Sequence, residues 1–184
     1  MLSPGAYDWP LITDELNSQG CAVLPALLTQ AECTLIAGMH LDESLFRSQV
    51  VMAKYGFGRG DYRYFRYPLP DLIGAMRTAL YPRLAVIAND WSARFGREHH
   101  YPAAHAEYLA QCHAAEQQRP TPLLLRYDPG DYNCLHQDLY GDLVFPLQAA
   151  VLLSEPGRDF KGGEFVLTEQ RPRMQSRVEV VPLC

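Results

Sequence analysis

LLLRYDPGDYNCLHQDLYGD, residues 123–142, begins in an apolar run and ends among side chains that can bind a metal. Leu123, Leu124 and Leu125 are bounded by Pro122 and by Asp128-Pro129-Gly130, the punctuation of a short buried strand followed by a turn. After the turn come His136 and Asp138, separated by Gln137. In an extended segment, residues two apart project to the same face, so one imidazole and one carboxylate converge on a point. Two such groups are two-thirds of the 2-His-1-carboxylate triad that holds non-haem Fe(II) and leaves coordination positions open. Six His and eleven Asp in 184 residues supply about 0.4 such pairs by chance. The surroundings therefore decide what the pair means.

Those surroundings have a definite order. Tyr127-x-x-Gly130 precedes the pair and Tyr132 lies between. The apolar run Leu147–Leu153 predicts a strand, and Gly162-Gly163-Glu164-Phe165 turns the chain into another. This order resembles the 2-oxoglutarate/Fe(II)-dependent dioxygenases, on the prolyl-4-hydroxylase-like side of that superfamily. From Arg59 to Leu183 the chain is similar to a family of bacterial oxygenases of that type, assigned to oxidation of nucleic acid. The resemblance implies an α+β protein with a double-stranded β-helix (jelly-roll, cupin-like) core buttressed by N-terminal helices. It implies hydroxylation of a C–H bond of damaged nucleic acid or of a protein side chain. Fe(II) would be the cofactor, 2-oxoglutarate and dioxygen the co-substrates, and succinate and CO2 the co-products.

Residue by residue, the resemblance implies His136 and Asp138 as metal ligands and Tyr127 as a hydrogen-bond partner of 2-oxoglutarate. Arg126 and Tyr132 would line the mouth, and Arg59, Arg63 and Tyr64 would meet the substrate. Gly130 shapes a turn, and Glu164 is structural. The family also carries a second His and a co-substrate arginine on strands after the Gly-Gly-Glu segment. Here no His follows His136, and Arg171, Arg173 and Arg177 fall before the strand where that arginine is expected. The expectation is a core lacking its last strands, which binds Fe(II) weakly and turns over little. An unpaired strand edge would favour association.

Length and composition bound the rest. A chain of 184 residues fits a single domain, 1–184, with 1–120 mostly helical support and 121–184 part of the β core. Hydrophobic content of 48% against 20% charged excludes a disordered chain, and no apolar run approaches a membrane span. MLSPGAYDWP at the N-terminus lacks the basic and apolar regions of a secretion signal. Five cysteines without a C-x-x-C predict reduced thiols and a cytoplasmic setting, which also suits Fe(II). A net charge of -5 gives no general attraction to nucleic acid, so any such contact depends on a local patch.

Local signals place the supporting elements. Asp8 is an N-cap, Leu11, Ile12 and Leu16 form a helical stripe, and Gly20 ends it. Cys21–Leu24 predicts a short strand. Thr29-x-x-Glu32 is a capping box for a helix burying Leu35, Ile36 and Met39. Residues 54–68, KYGFGRGDYRYFRYP, interleave four cations with six aromatics. They predict either a phosphate- and base-binding tract or an edge strand with aromatic pairs and solvated arginines. Gly56, Gly58 and Gly60 allow backbone bends; no phosphate-loop pattern is present. A long helix over 71–95 is expected to kink or divide at Pro82, and a shorter one spans 102–117.

His99, His100, His105 and His113 fall in a polar, Ala-rich stretch that predicts a solvated surface or a supporting role beside a site. Cys134 shares a face with His136 and allows a zinc reading, as does a non-redox metal protein of cupin shape, but a further ligand cluster is missing. The competing reading of a different class is a catalytically silent jelly-roll binding module. The missing third ligand favours that module, and the intact His136-x-Asp138 opposes it.

Overall fold

The computed structural model describes residues 4–138, 141 and 143–183. Helix α1 (Trp9–Gln19) starts where Asp8 accepts a hydrogen bond from the Leu11 amide at 3.2 Å. It stops at Gly20, whose φ of 76° closes the last turn. Helix α2 (Gln30–Gly38) has the full reciprocal capping box, with the Thr29 amide donating to Glu32 at 2.8 Å and the Glu32 amide to Thr29 at 3.3 Å. Only part of each expected stripe is inside: Ile12 and Ile36 are buried, while Leu11 and Leu35 are exposed.

Strand β1 (Phe46–Val51), β3 (Asp61–Phe65) and β4 (Leu123–Arg126) form an antiparallel sheet in the order β1-β3-β4. The Arg/Tyr tract thus supplies the central strand, not the edge strand expected. Phe46, Phe65 and Leu124 from this sheet close a core with Ile36 of α2 and Ile73 of α3 (Asp71–Arg94). Phe46 and Phe65 stack at 4.8 Å between centroids. Fully burying each such side chain contributes about 1.5–3 kcal/mol.

α3 runs unbroken through Pro82. An interior proline costs about 3 kcal/mol. Here burial of Leu80, Tyr81, Ala85, Ile87 and Ala88 around it outweighs that cost, and the expected division does not occur. Helix α4 (His105–Ala114) is shorter than 102–117 and packs on α3 through a second core of Tyr81, Ala85, Ala88, Tyr101 and Tyr108, with Phe145 against it. This contact corrects the histidine expectation. His99, His105 and His113 are half-buried against Tyr101, Tyr81 and Tyr67, and only His100 is exposed. The alanines of this stretch are exposed, so the solvent face is real, but the histidine rings turn away from it onto the tyrosines. Burial, and then the Arg77 charge, push the His105 pKa down.

Two expected strands are absent. Neither Cys21–Leu24 nor Leu147–Leu153 takes part in a ladder among the described residues. Both line one apolar groove of about 650 Å³, with Ile12, Leu16 and Leu84. An apolar run signals burial, whereas a strand also needs a partner for its amides and carbonyls.

The remaining strands are β2 (Gly58–Arg59) with β5 (Tyr132–Asn133), and the hairpin of β6 (Phe165–Arg171) with β7 (Gln175–Val181). That hairpin shows Val178 and Val180 to solvent. No helix is long and apolar enough to cross a membrane among the described residues.

Candidate metal-binding site

The site is hung from the two-residue β2–β5 ladder, where Gly58 faces Asn133 and Arg59 faces Tyr132. The Cys134 amide adds one more rung by donating to the Phe57 carbonyl at 2.8 Å. Gly58 is required here. Its φ is 125°, and a Cβ on it would overlap the Tyr132 carbonyl. Gly60 is similarly confined, since a Cβ would meet the Arg126 carbonyl at 2.8 Å and the Tyr127 ring at 3.0 Å.

The turn between β4 and β5 is tied twice. The Asp131 amide donates to the Asp128 carbonyl, and the Asp128 amide to the Asp131 carboxylate, both at 2.9 Å. Gly130 sits in this turn with φ 87°.

Beyond β5 the chain leaves regular structure and brings His136 and Asp138 together. Imidazole Nε2 lies 3.5 Å from Asp138 Oδ1, and both side chains are about half exposed. His136 Nδ1 lies 2.8 Å from the Cys134 carbonyl. A carbonyl only accepts, so Nδ1 carries a proton; in the neutral tautomer Nε2 then turns a lone pair toward the carboxylate. Two acceptors facing one another repel unless a cation stands between them. A proton on Nε2 meets that need, and so does a metal ion.

The separation suits a metal. Nitrogen and oxygen ligands about 2.1 Å from one ion lie no more than about 4 Å apart. The Gln148 amide donates to Asp138 Oδ2 at 3.1 Å, which orients the carboxylate and leaves Oδ1 toward the imidazole. Anchored outer atoms of this kind are what fix metal ligands in place. Sequence reasoning missed Gln148, because a lone glutamine inside an apolar run carries no pattern. Among the described residues, no group of three or more His, Cys, Asp or Glu side chains that could hold a metal comes together. The Cys134 thiol points elsewhere, 3.7 Å from the Gly56 carbonyl, so it does not join His136 in a zinc site.

The other expected residues divide into two groups. Tyr127, Tyr132 and Arg59 flank the ladder that carries the pair. Burial raises the Tyr127 phenol pKa, and a hydrogen bond with Asn133 opposes the rise. Arg126 is exposed and paired with Asp128 at 3.3 Å, a surface contact of little energetic weight.

Arg63 and Tyr64 lie on β3, in the other sheet. Arg63 is fixed inside the first sheet, donating to the His40 carbonyl at 2.9 Å and lying 3.6 Å from Asp61. The Tyr64 ring is covered by Arg47 at 4.3 Å and meets Tyr62 edge-on. As neighbours in a central strand they project to opposite faces of the sheet, and each is half-buried against the partners just named, which differs from the open substrate contact expected of them. The late cations are also engaged, Arg171 with Glu169 and Arg177 with Glu179, each at 3.0 Å.

A second set of contacts holds the segment that follows the pair. Gln117 donates to the Leu143 carbonyl at 3.1 Å and accepts from the Leu143 amide at 2.8 Å. Tyr101 donates to the Val144 carbonyl at 2.8 Å. The helical layer therefore anchors the chain just downstream of Asp138.

The family model described as an oxygenase catalysing oxidative methylation of damaged DNA matches residues 60–184, and the chain belongs to that family. Two uncharacterized proteins of Mycobacterium tuberculosis, from strains CDC 1551 / Oshkosh and H37Rv, are each 54% identical to it over 113 residues. The match covers 61% of this chain and 48% of each relative, so the chain spans about half the length of the curated relatives it matches. No solved structure matches the chain.

Proposed function

We propose that this member of the oxygenase family acts as a 2-oxoglutarate- and Fe(II)-dependent dioxygenase, hydroxylating a C–H bond of damaged DNA. The observation that supports this most is the facing of His136 Nε2 and Asp138 Oδ1 at 3.5 Å. Both have their outer atoms tied down, by the Cys134 carbonyl and by Gln148. A solvated surface ion pair needs no such orientation; a metal site does. Bound together, Fe(II) and 2-oxoglutarate supply dioxygen activation and oxidation of a C–H bond, with succinate and CO2 as co-products.

The chain's own residues then have separate tasks. His136 and Asp138 would supply two of the three protein ligands of a facial triad, and among the described residues no third His, Cys, Asp or Glu joins them. The Cys134 carbonyl fixes the imidazole tautomer. Gln148 keeps the carboxylate turned inward. The Tyr127 phenol, a hydrogen-bond donor at neutral pH, would donate to the co-substrate. The antiparallel ladders β2–β5 and β6–β7, in the order of the sequence motifs, are consistent with parts of a double-stranded β-helix. The thiols of Cys21, Cys33, Cys112 and Cys134 are unpaired with one another, which suits a reducing, cytoplasmic setting.

Anaerobic titration of Fe(II) in the presence of 2-oxoglutarate tests the reading. A weak visible metal-to-ligand charge-transfer band is expected, and it disappears in His136→Ala and Asp138→Ala. Gln148→Ala retains the band but shifts its midpoint to roughly 10–100-fold higher Fe(II), the usual cost of losing an outer partner. Absence of the band, with Fe(II) held no more tightly by the parent than by His136→Ala, overturns the assignment.

A further inference from the structure

The fold splits the Arg/Tyr tract into two unlike halves. Asp61–Phe65 enters the sheet, whereas Lys54, Tyr55, Phe57 and Arg59 stay at the surface. Tyr55 and Phe57 are stacked, 5.5 Å apart with their planes 21° from parallel, and both are exposed. Tyr132, also exposed, stands opposite Arg59 in the β2–β5 ladder, and residues paired in this way share a face. The same ladder ends in the rung from Cys134, two residues before His136. A stacked pair of exposed rings and a third exposed ring opposite Arg59 therefore lie along the one ladder that leads to His136 and Asp138. No carboxylate pairs with Lys54 or Arg59 among the described residues.

We infer that this ledge of Tyr55, Phe57 and Tyr132, flanked by Lys54 and Arg59, binds single-stranded DNA, stacking bases on the rings and holding phosphates with the two cations. The inference rests on the nucleic-acid reading above and deepens it. Aromatic faces accept any base but only where the base is unpaired, because a duplex hides its base faces in the stack. A chemistry step on a base also needs that base outside the helix. The two cations supply the local charge complementarity that a chain of net charge -5 lacks overall. Contacts to two phosphates of a single strand predict a slope of about -1.4 for log affinity against log salt.

The test is fluorescence anisotropy with a fluorescein-labelled oligothymidine, alone and annealed to its complement, without metal or 2-oxoglutarate. The single strand is expected to bind more tightly than the duplex. The double variant Tyr55→Ala/Phe57→Ala is expected to weaken single-strand binding by roughly 10–100-fold, as base stacking on protein rings does. Tyr55→Phe, which keeps the ring, retains the affinity, and this separates stacking from loss of folding. Arg59→Ala should flatten the salt slope by about 0.7.

Equal affinity for duplex and single strand, or unchanged affinity in the double alanine variant, overturns the inference. His136→Ala separates it from the oxygenase reading, because that variant loses the charge-transfer band while keeping its affinity for the oligonucleotide. Failure of oligonucleotide binding with an intact band rejects the ledge alone.

Discussion

Between α3 and α4, Tyr81, Tyr101, Tyr108 and Phe145 meet at centroid separations of 5.0–5.7 Å, the three tyrosines buried and Phe145 partly so. Beside β2 and β5, Tyr55, Phe57 and Tyr132 lie open to it. The residue types are alike, and the difference lies in what their polar ends and neighbours provide. Inside, Tyr81 donates to the Pro102 carbonyl at 2.9 Å and Tyr101 to the Val144 carbonyl at 2.8 Å, so burial leaves neither hydroxyl unpaired. Outside, glycines at 56, 58 and 60 bend the chain through positive φ and keep its rings away from either core. A buried ring stabilises the fold; an exposed ring is available to a ligand.

This contrast can be broken by mutation. The largest effect is expected from Tyr101→Ala, which removes a buried ring and a hydrogen bond that crosses to Val144. A loss of about 3–5 kcal/mol in urea-denaturation stability is expected, and a loss below about 1 kcal/mol would mean that the inner cluster is not a core.

Alkaline titration comes next. Burial lifts the Tyr81 pKa from 10.0 to about 12. The folded state thus holds that proton more tightly than the unfolded one. Its contribution is complete below pH 10 and is lost as pH rises through about 12. The loss is at most roughly 2–3 kcal/mol. Denaturation midpoints measured across this window should fall, and Tyr81→Phe should fall less; equal slopes would contradict the assignment.

Gly58→Ala is expected to cost about 1–3 kcal/mol, because the new methyl overlaps the Tyr132 carbonyl at a backbone conformation side chains avoid. Gly56→Ala, with open space around it, should cost less. Smallest of all, Phe57→Ala should move stability by no more than about 0.5 kcal/mol. A large change there would place the outer ring in a core.

Local chemistry made much of this molecule legible in the sequence. Asp8, the Thr29–Glu32 box and Gly20 act within a single turn, and each is found where its spacing predicts. Leu123–Leu125 and the turn at Asp128-Pro129-Gly130 also required only neighbours, and so did the convergence of His136 and Asp138. What depended on distant partners was not legible. Cys21–Leu24 and Leu147–Leu153 had the apolar content of strands but lack a ladder partner among the described residues. Nothing near Arg63 in the sequence foretold that its guanidinium would donate to the His40 carbonyl, 23 positions away in the chain. His105 and His113 looked solvated because the sequence does not reveal which face of α4 meets α3, and His99 because the fold of the segment before α4 against Tyr101 is not local. Gln148 had no spacing to betray it.

The Gln117 amide beside Leu143 has one further consequence. A carboxamide carries the same donor and acceptor as a peptide group, so this one side chain imitates a single residue of a neighbouring strand. Docking a segment by a true ladder requires many residues to change in concert. Docking Leu143 by one glutamine, beside the Tyr101 bond to Val144, puts part of the attachment of the chain beyond His136 and Asp138 within reach of a single codon, so that natural variation could loosen or restore it one step at a time.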